Sequence, residues 1–260
     1  MNRTLYKYCG LRDAKDLSRL QELLNGRIYF SSPMKFNDPF ELSAKVDISK
    51  SPLLDTLTRR EAEYVKRVFR LSSPEAVSEE WKEKLGILCL SENPLHILMW
   101  SHYSSDHSGI CIGFDSGKSI FKDAIKISYG ADRPIIGLNS DPDLILKNVF
   151  LKKSKHWEYE NEWRIIRRNI ETDERDFYFE KYNLGEACLD EIAEIISNNA
   201  GPRLYEFDPN AIRSIFLGAR INEENKAKIL GFVRSTNSSI KIFSAELDNN
   251  YFCLNKRRIK

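Results

Sequence analysis

Only four of the 260 residues are histidine, five cysteine and three methionine, and no spacing among them builds a recognised metal or disulfide framework. Cys9, Cys89, Cys111, Cys188 and Cys253 are odd in number, widely scattered and free of any CxxC pair, which argues against a structural zinc site and a disulfide scaffold. Cys89 and Cys111 lie among apolar neighbours, as reduced core thiols do. The chain has no Walker A loop, GxGxxG fingerprint, GxSxG elbow or HExxH pair. P-loop hydrolysis, Rossmann redox chemistry and α/β-hydrolase chemistry are therefore not leading options. No run approaches the roughly 18 apolar residues of a membrane span, and the start Met1-Asn2-Arg3-Thr4-Leu5-Tyr6-Lys7-Tyr8 lacks the apolar core of a signal peptide. The expectation is a cytosolic protein with no membrane partner. Forty Lys and Arg against 38 Asp and Glu give a net charge of +2, too small to drive the chain toward nucleic acid. The basic tail Lys256-Arg257-Arg258-Ile259-Lys260 reads as a solvated terminus.

What is present is ordinary globular material: 42% apolar and 30% charged residues, enough for a sizeable core. Leu5 to Tyr8 reads as a strand. Leu17, Leu20, Leu23 and Leu24 form a helical stripe over Ala14 to Asn25, closed by Gly26. Arg27 to Ser31 is a further short strand. Residues 52 to 84 are charged and mostly helical, with Ser73-Pro74-Glu75 starting a second helix. Gly86 to Ser91 and Gly109 to Phe114 are apolar runs of strand length, separated by a helical turn over His96 to Ser104. Further on, strands are expected at Ala124 to Tyr129, Phe177 to Tyr182, Ile212 to Leu217, Ile240 to Phe243 and Tyr251 to Leu254. Helices are expected at Asp141 to Lys153, Leu189 to Ser197 and Asn222 to Ser235. No repeat or linker divides the chain. The pattern predicts one α+β domain over residues 1–260, with a central mixed or antiparallel sheet and a helical insertion at about 52–84.

The segment Trp157-Glu158-Tyr159-Glu160-Asn161-Glu162-Trp163-Arg164 spaces three carboxylates at period two between two tryptophans. As a strand it would project Glu158, Glu160 and Glu162 from one face, where like charges repel. Such a face is either solvated or lines a site that uses negative charge. The preceding Ser154-Lys155-His156 puts cations beside these acids. A second cluster, Met99-Trp100-Ser101-His102-Tyr103 through His107-Ser108-Gly109, reads either as a pocket wall of stacking rings and polar contacts or as a locally capped turn. Its HxxxxH spacing is not a metal pattern. In Asn37-Asp38-Pro39-Phe40-Glu41, a rigid turn is the commoner reading, and a divalent cation on Asp38 and Glu41 the alternative.

Four segments taken in order resemble the bacterial domain-of-unknown-function family 2971 over roughly residues 5 to 220. They are Leu5-Tyr6-Lys7-Tyr8, Arg27 to Pro33 leading into Phe36 to Glu41, Met99 to Gly109, and Trp157 to Arg164. That family implies no activity. Glu160-Asn161-Glu162 is also similar to the Glu-x-Glu strand of ADP-ribosyltransferases. This second resemblance implies a split sheet, NAD as cofactor, and Glu162 stabilising an oxocarbenium-like ribose with Glu160 in support. It further implies Lys7 or Tyr8 at the dinucleotide anchor, with Trp100, Ser101, Tyr103 and His107 along the cofactor wall. The sequence departs from that pattern: the anchor is usually Arg or His, and no Ser-Thr-Ser strand is visible. The target, macromolecule or small molecule, is not specified by the resemblance. Two other readings stay open, a binding module for a small molecule or nucleotide without turnover, and a Mg²⁺-dependent nuclease using Asp38, Glu41 and the acidic segment. Under the transferase reading, NAD⁺ releases nicotinamide or modifies a macromolecule, and Glu162→Ala lowers that rate by several orders of magnitude. Calorimetry showing no NAD⁺ binding at millimolar ligand removes it.

Overall fold

The computed structural model describes residues 3–72, 79–137, 145–170, 172–186, 188–236 and 239–259. Its strands are β1 (Thr4–Cys9), β2 (Arg27–Tyr29), β3 (Lys45–Val46), β4 (Leu85–Ser91), β5 (Ile110–Asp115), β6 (Ile125–Lys126) and β7 (Ser128–Gly130). They continue as β8 (Ile135–Ile136), β9 (Lys152–Ser154), β10 (Glu162–Arg168), β11 (Leu204–Glu206), β12 (Ile212–Leu217), β13 (Lys241–Leu247) and β14 (Leu254–Arg258). The α-helices are α1 (Ala14–Leu24), α2 (Arg59–Ser72), α3 (Glu79–Glu83), α4 (Ile97–Tyr103), α5 (Thr172–Asn183), α6 (Leu189–Asn198) and α7 (Glu223–Thr236). Eight strands form one sheet in the order β14-β13-β12-β5-β1-β4-β10-β6. All its neighbours are antiparallel except β12 and β13, which run parallel because α7 carries the chain back between them. The expected α+β class and mixed sheet are therefore observed.

Strand alternation gives this sheet two different faces. Leu5, Leu88, Ile112, Phe114, Ile165 and Ile215 point to one side, where Leu20 and Leu24 of α1 and Ile229 and Val233 of α7 close the main core. α1 begins on the Asp13 side chain, which accepts from Asp16 N–H, and ends at Asn25. Gly26 follows at φ 84°, a left-handed position that glycine takes without a Cβ clash. The opposite face carries two smaller apolar clusters. One gathers Tyr8, Met99, Trp100, Cys111 and Phe216, and the other Leu42, Leu85, Ile87, Val149 and Phe150. Glu162 and Arg164 stand on this second face, since Glu162 pairs with Ser91 and Ser91 with Tyr6.

Several elements differ from the sequence expectation. The acidic segment is not a strand: residues Lys155–Glu160 form a 3₁₀ turn, Asn161 is left-handed at φ 44°, and β10 starts only at Glu162. Ser154 caps the turn by accepting from His156 N–H, and Asn tolerates the left-handed conformation better than most residues. The three glutamates therefore do not share a face. Phe177 to Tyr182, expected as a strand, lies inside α5, where the backbone bonds are satisfied within the helix and Arg168 pairs with Glu174 of its first turn. The Ala124 to Tyr129 strand breaks at buried Ile127, whose N–H bonds Glu162 O while Ser128 N–H bonds Leu151 O. β6 consequently stays with β10, and β7 pairs with β9. Of the helix expected over 141–153, residues 141–144 lie outside the described set; Leu146–Phe150 is a π-helical turn and Lys152–Ser154 a strand. The helix start at Ser73-Pro74-Glu75 also lies outside the described residues. The basic tail is not free: Lys256, Arg257 and Arg258 pair with β13 as part of the outermost strand.

Candidate functional site

The site is built where β10 begins. Glu162 and Arg164, two residues apart, project from the same face, and both are buried at 2% and 0% exposure. Arg164 Nε donates to Glu162 Oε1 at 2.7 Å and its Nη2 to Oε2 at 3.2 Å, a fork-to-fork pair. Arg164 Nη1 donates to Glu41 Oε1 at 2.6 Å and to the Phe150 carbonyl at 3.0 Å. The π-helical turn presents that carbonyl, and the loop that continues from Asn37-Asp38-Pro39 delivers Glu41. Lys153 of β9 adds a second cation, 2.6 Å from Glu160 Oε2 and 3.1 Å from Glu162 Oε2. The Tyr103 hydroxyl of α4 donates to Glu160 Oε1 at 2.5 Å, and the exposed Asn37 amide donates to the same hydroxyl at 3.1 Å. A continuous chain thus runs Glu41, Arg164, Glu162, Lys153, Glu160, Tyr103, Asn37.

The two acids titrate in opposite directions. Burial pushes Glu162 up, but Arg164 and Lys153 outweigh it and hold the carboxyl down at about 2. Burial raises Glu160 as well, and there Lys153 does not cancel it because the Glu162 charge adds to the rise. Burial and the Glu160 charge together push the Tyr103 phenol up, so it stays a hydrogen-bond donor. Glu162 Oε1 and Oε2 are both taken by cations, whereas Glu160 is linked through Tyr103 to the surface. Around that exit lies a shelf of rings. His96 stacks on Tyr159 at 5.3 Å between centroids, and Trp157 and His102 approach Tyr159 at 6.1 and 6.4 Å. Lys153 Nζ sits 5.1 Å from the Trp157 ring.

Of the residues singled out from sequence, Glu160, Glu162 and Tyr103 are brought together here. Glu158 is exposed. Trp100 is fully buried, its indole N–H donating to the Pro94 carbonyl at 2.9 Å, with Tyr8 packed edge-on at 5.3 Å. The Tyr8 hydroxyl donates to the Asn93 carbonyl at 2.6 Å, so both rings support α4 from beneath. Lys7 follows Tyr6 and precedes Tyr8 on β1, so it faces the other side of the sheet, away from Glu162. Ser101 is half-buried on α4. His107 ends a run of three left-handed residues, Ser105, Asp106 and His107 at φ 46°, 51° and 70°. That run is held by His107 N–H on the Trp100 carbonyl and Arg220 N–H on the His107 carbonyl. The two tryptophans flanking the acids diverge: Trp157 joins the shelf, while Trp163 packs on the main core side and donates to Glu92 Oε1 at 3.0 Å. The cations beside the acids are not Lys155 and His156, both exposed, but Lys153. Asp38 caps Phe40 N–H at 2.9 Å and Glu41 faces Arg164, so the first braces the turn and the second joins the network.

Sequence reasoning missed Lys153, Arg164, Tyr129, His96 and Tyr159. Arg164 was detectable: an arginine between Trp163 and Ile165 in a strand, two residues from a glutamate, shares that glutamate's face. Tyr129, whose hydroxyl accepts from Glu162 N–H at 2.8 Å, leaves no such signal.

Residues 99–130 match the family model described as a protein of unknown function, DUF2971, which supports the resemblance read from the sequence over α4 to β7. Neither the curated proteins nor the solved structures return a match to this chain. Among the described residues no helix is long and apolar enough to cross a membrane.

Two outcomes follow from the charge network. Arg164→Met leaves Glu41 buried without its cation and Glu162 with Lys153 alone, and lowers unfolding stability by about 3–5 kcal/mol in urea titrations. In the folded state Glu162 holds its charge down to about 2, against an ordinary value of 4.5, so the unfolded chain binds the extra proton between these limits. Stability accordingly falls as pH drops from 4.5 toward 2, and Glu162→Gln makes that acid limb of the melting-temperature profile shallower.

Proposed function

We propose that the chain is a recognition module for a planar, ring-bearing small molecule of the nucleoside or nicotinamide kind, bound without turnover. The observation that carries this reading is the contrast between the two acids. Glu162 is closed inside a double ion pair, whereas Glu160 opens through Tyr103 onto the half-exposed rings of His96, Tyr159 and Trp157. A ligand ring would extend the existing His96–Tyr159 stack. The Asn37 carboxamide on Tyr103 supports the choice of polar edge: a ligand amide that displaced it would meet the same hydroxyl. In this role Glu162 is a positioning residue, fixing Lys153 and through it Glu160.

NAD-dependent ADP-ribosyl transfer is the second reading, and the gathering of Glu160, Glu162 and Tyr103 favours it. It requires Glu162 to exchange an ion pair for the ribose, which separates it from simple binding. Calorimetry with adenosine, nicotinamide and NAD⁺, alongside an assay for released nicotinamide, distinguishes the two. The binding reading expects affinity without product, and Tyr159→Ala weakening that affinity about tenfold, within the range of one stacked ring. Released nicotinamide would move the assignment to the transferase, and no binding of any ring ligand at millimolar concentration would remove both.

A further inference from the structure

The hairpin formed by β13 and β14 serves neither the charge network nor the ring shelf, and its surface is unlike the rest of the sheet edge. Among the described residues β14 pairs with β13 on one side only and ends the strand order on the other. It carries Lys256, Arg257 and Arg258, all exposed, and Lys241 of β13 adds another exposed cation. The acids nearby are Glu246, held by Arg257 at 2.5 Å, and Asp248, turned into the hairpin. Asp248 Oδ1 accepts from Asn250 N–H at 2.7 Å and Tyr251 N–H at 2.8 Å, and its Oδ2 from the Asn255 amide at 2.6 Å. These bonds set a rigid tip at which Leu247, Tyr251 and Phe252 are 74%, 75% and 103% exposed. Three large apolar side chains projecting from one turn beside a cationic strand are not the scattered exposure of an ordinary surface.

Three occupants can be compared. A second copy adding to the β14 edge would bring this cationic strand against itself, the arrangement by which edge strands avoid pairing. Single-stranded nucleic acid stacks on rings lying across a sheet face, whereas these rings are at the tip, and the nearest face ring, Phe243, has Lys256 Nζ 5.5 Å from its centre. An anionic bilayer matches both halves: apolar side chains enter the headgroup boundary while the cations remain over its negative charge. We propose that the β13–β14 hairpin docks the protein on an anionic lipid surface through Tyr251, Phe252 and Leu247, with Lys256 and Arg258 as the electrostatic contact. The sequence expectation of no membrane partner rested on the lack of a spanning segment, and docking of this kind needs none.

The test is co-sedimentation of the full chain with vesicles of phosphatidylcholine alone, or of phosphatidylcholine and phosphatidylserine in equal parts. Binding is expected only to the phosphatidylserine vesicles and is weakened by added sodium chloride. Phe252→Ala lowers the partition by about tenfold, the value of one buried aromatic side chain. Lys256→Glu combined with Arg258→Glu removes the preference for phosphatidylserine, while circular dichroism melts verify that each variant is folded. The proposal is overturned by equal binding to both vesicles, by no binding to either, or by Phe252→Ala leaving the partition unchanged. It is also overturned if these substitutions instead abolish binding of a single-stranded RNA probe, or dissolve a dimer seen by light scattering.

Discussion

The arrangement of this protein depends on the guanidinium of Arg164. It is wholly buried, and its four hydrogen bonds reach Glu162 on its own strand, Glu41 from the loop before β3 and the Phe150 carbonyl from the π-helical turn. Taking such an ion out of water costs several kcal/mol, so it is tolerated only with nearly complete pairing. The requirement works as a geometric constraint. The loop and the turn must lie where their oxygens meet the one cation between the two apolar clusters of this face. Lys153 repeats the logic one step outward, bridging Glu162 to Glu160 and drawing β9 against the start of β10.

The same constraint divides the labour between two carboxylates that look alike in sequence. Glu162 meets two cations and stays ionised; Glu160, buried beside another negative charge, has its protonation favoured. Environment rather than residue type sets these characters, as in other sites with paired acids. Tyr103 carries the difference to the surface, since its hydroxyl is the link between Glu160 and Asn37. The buried Tyr8–Trp100 pair beneath α4 holds that link in place, and the Ser105 to His107 turn, bonded to Trp100 and Arg220, closes the far end.

Much of the fold was legible because its signals are local. Alternating or continuous apolar runs marked β1, β4, β5, β12 and β13, and the leucine stripe closed by Gly26 marked α1. The failures share a cause. Period-two alternation in Trp157 to Glu162 and Phe177 to Tyr182 predicts strand, but alternation reports extended structure only where a neighbouring strand completes the hydrogen bonds. In the first case Ser154 caps a 3₁₀ turn and Asn161 reverses the backbone; in the second a helix satisfies itself. The basic tail is exposed, as a solvated segment would be, but its strand pairing was not legible, since nothing in Lys256 to Arg258 announces that β13 has an open edge to fill.

By itself the sequence determined the α+β class, the strands with one buried face, and the presence of acids, rings and a cationic end. These depend on side-chain period and composition, which are properties of short stretches. Tertiary structure alone decided what each charge does. Glu162 is neutralised by an arginine two residues on and a lysine nine residues before, while the same arginine takes Glu41 from 123 residues away. Pairing over such separations is set by which loops the folded sheet brings to one face. Charge in a buried place has meaning only with its partner, and the partner is chosen by the fold.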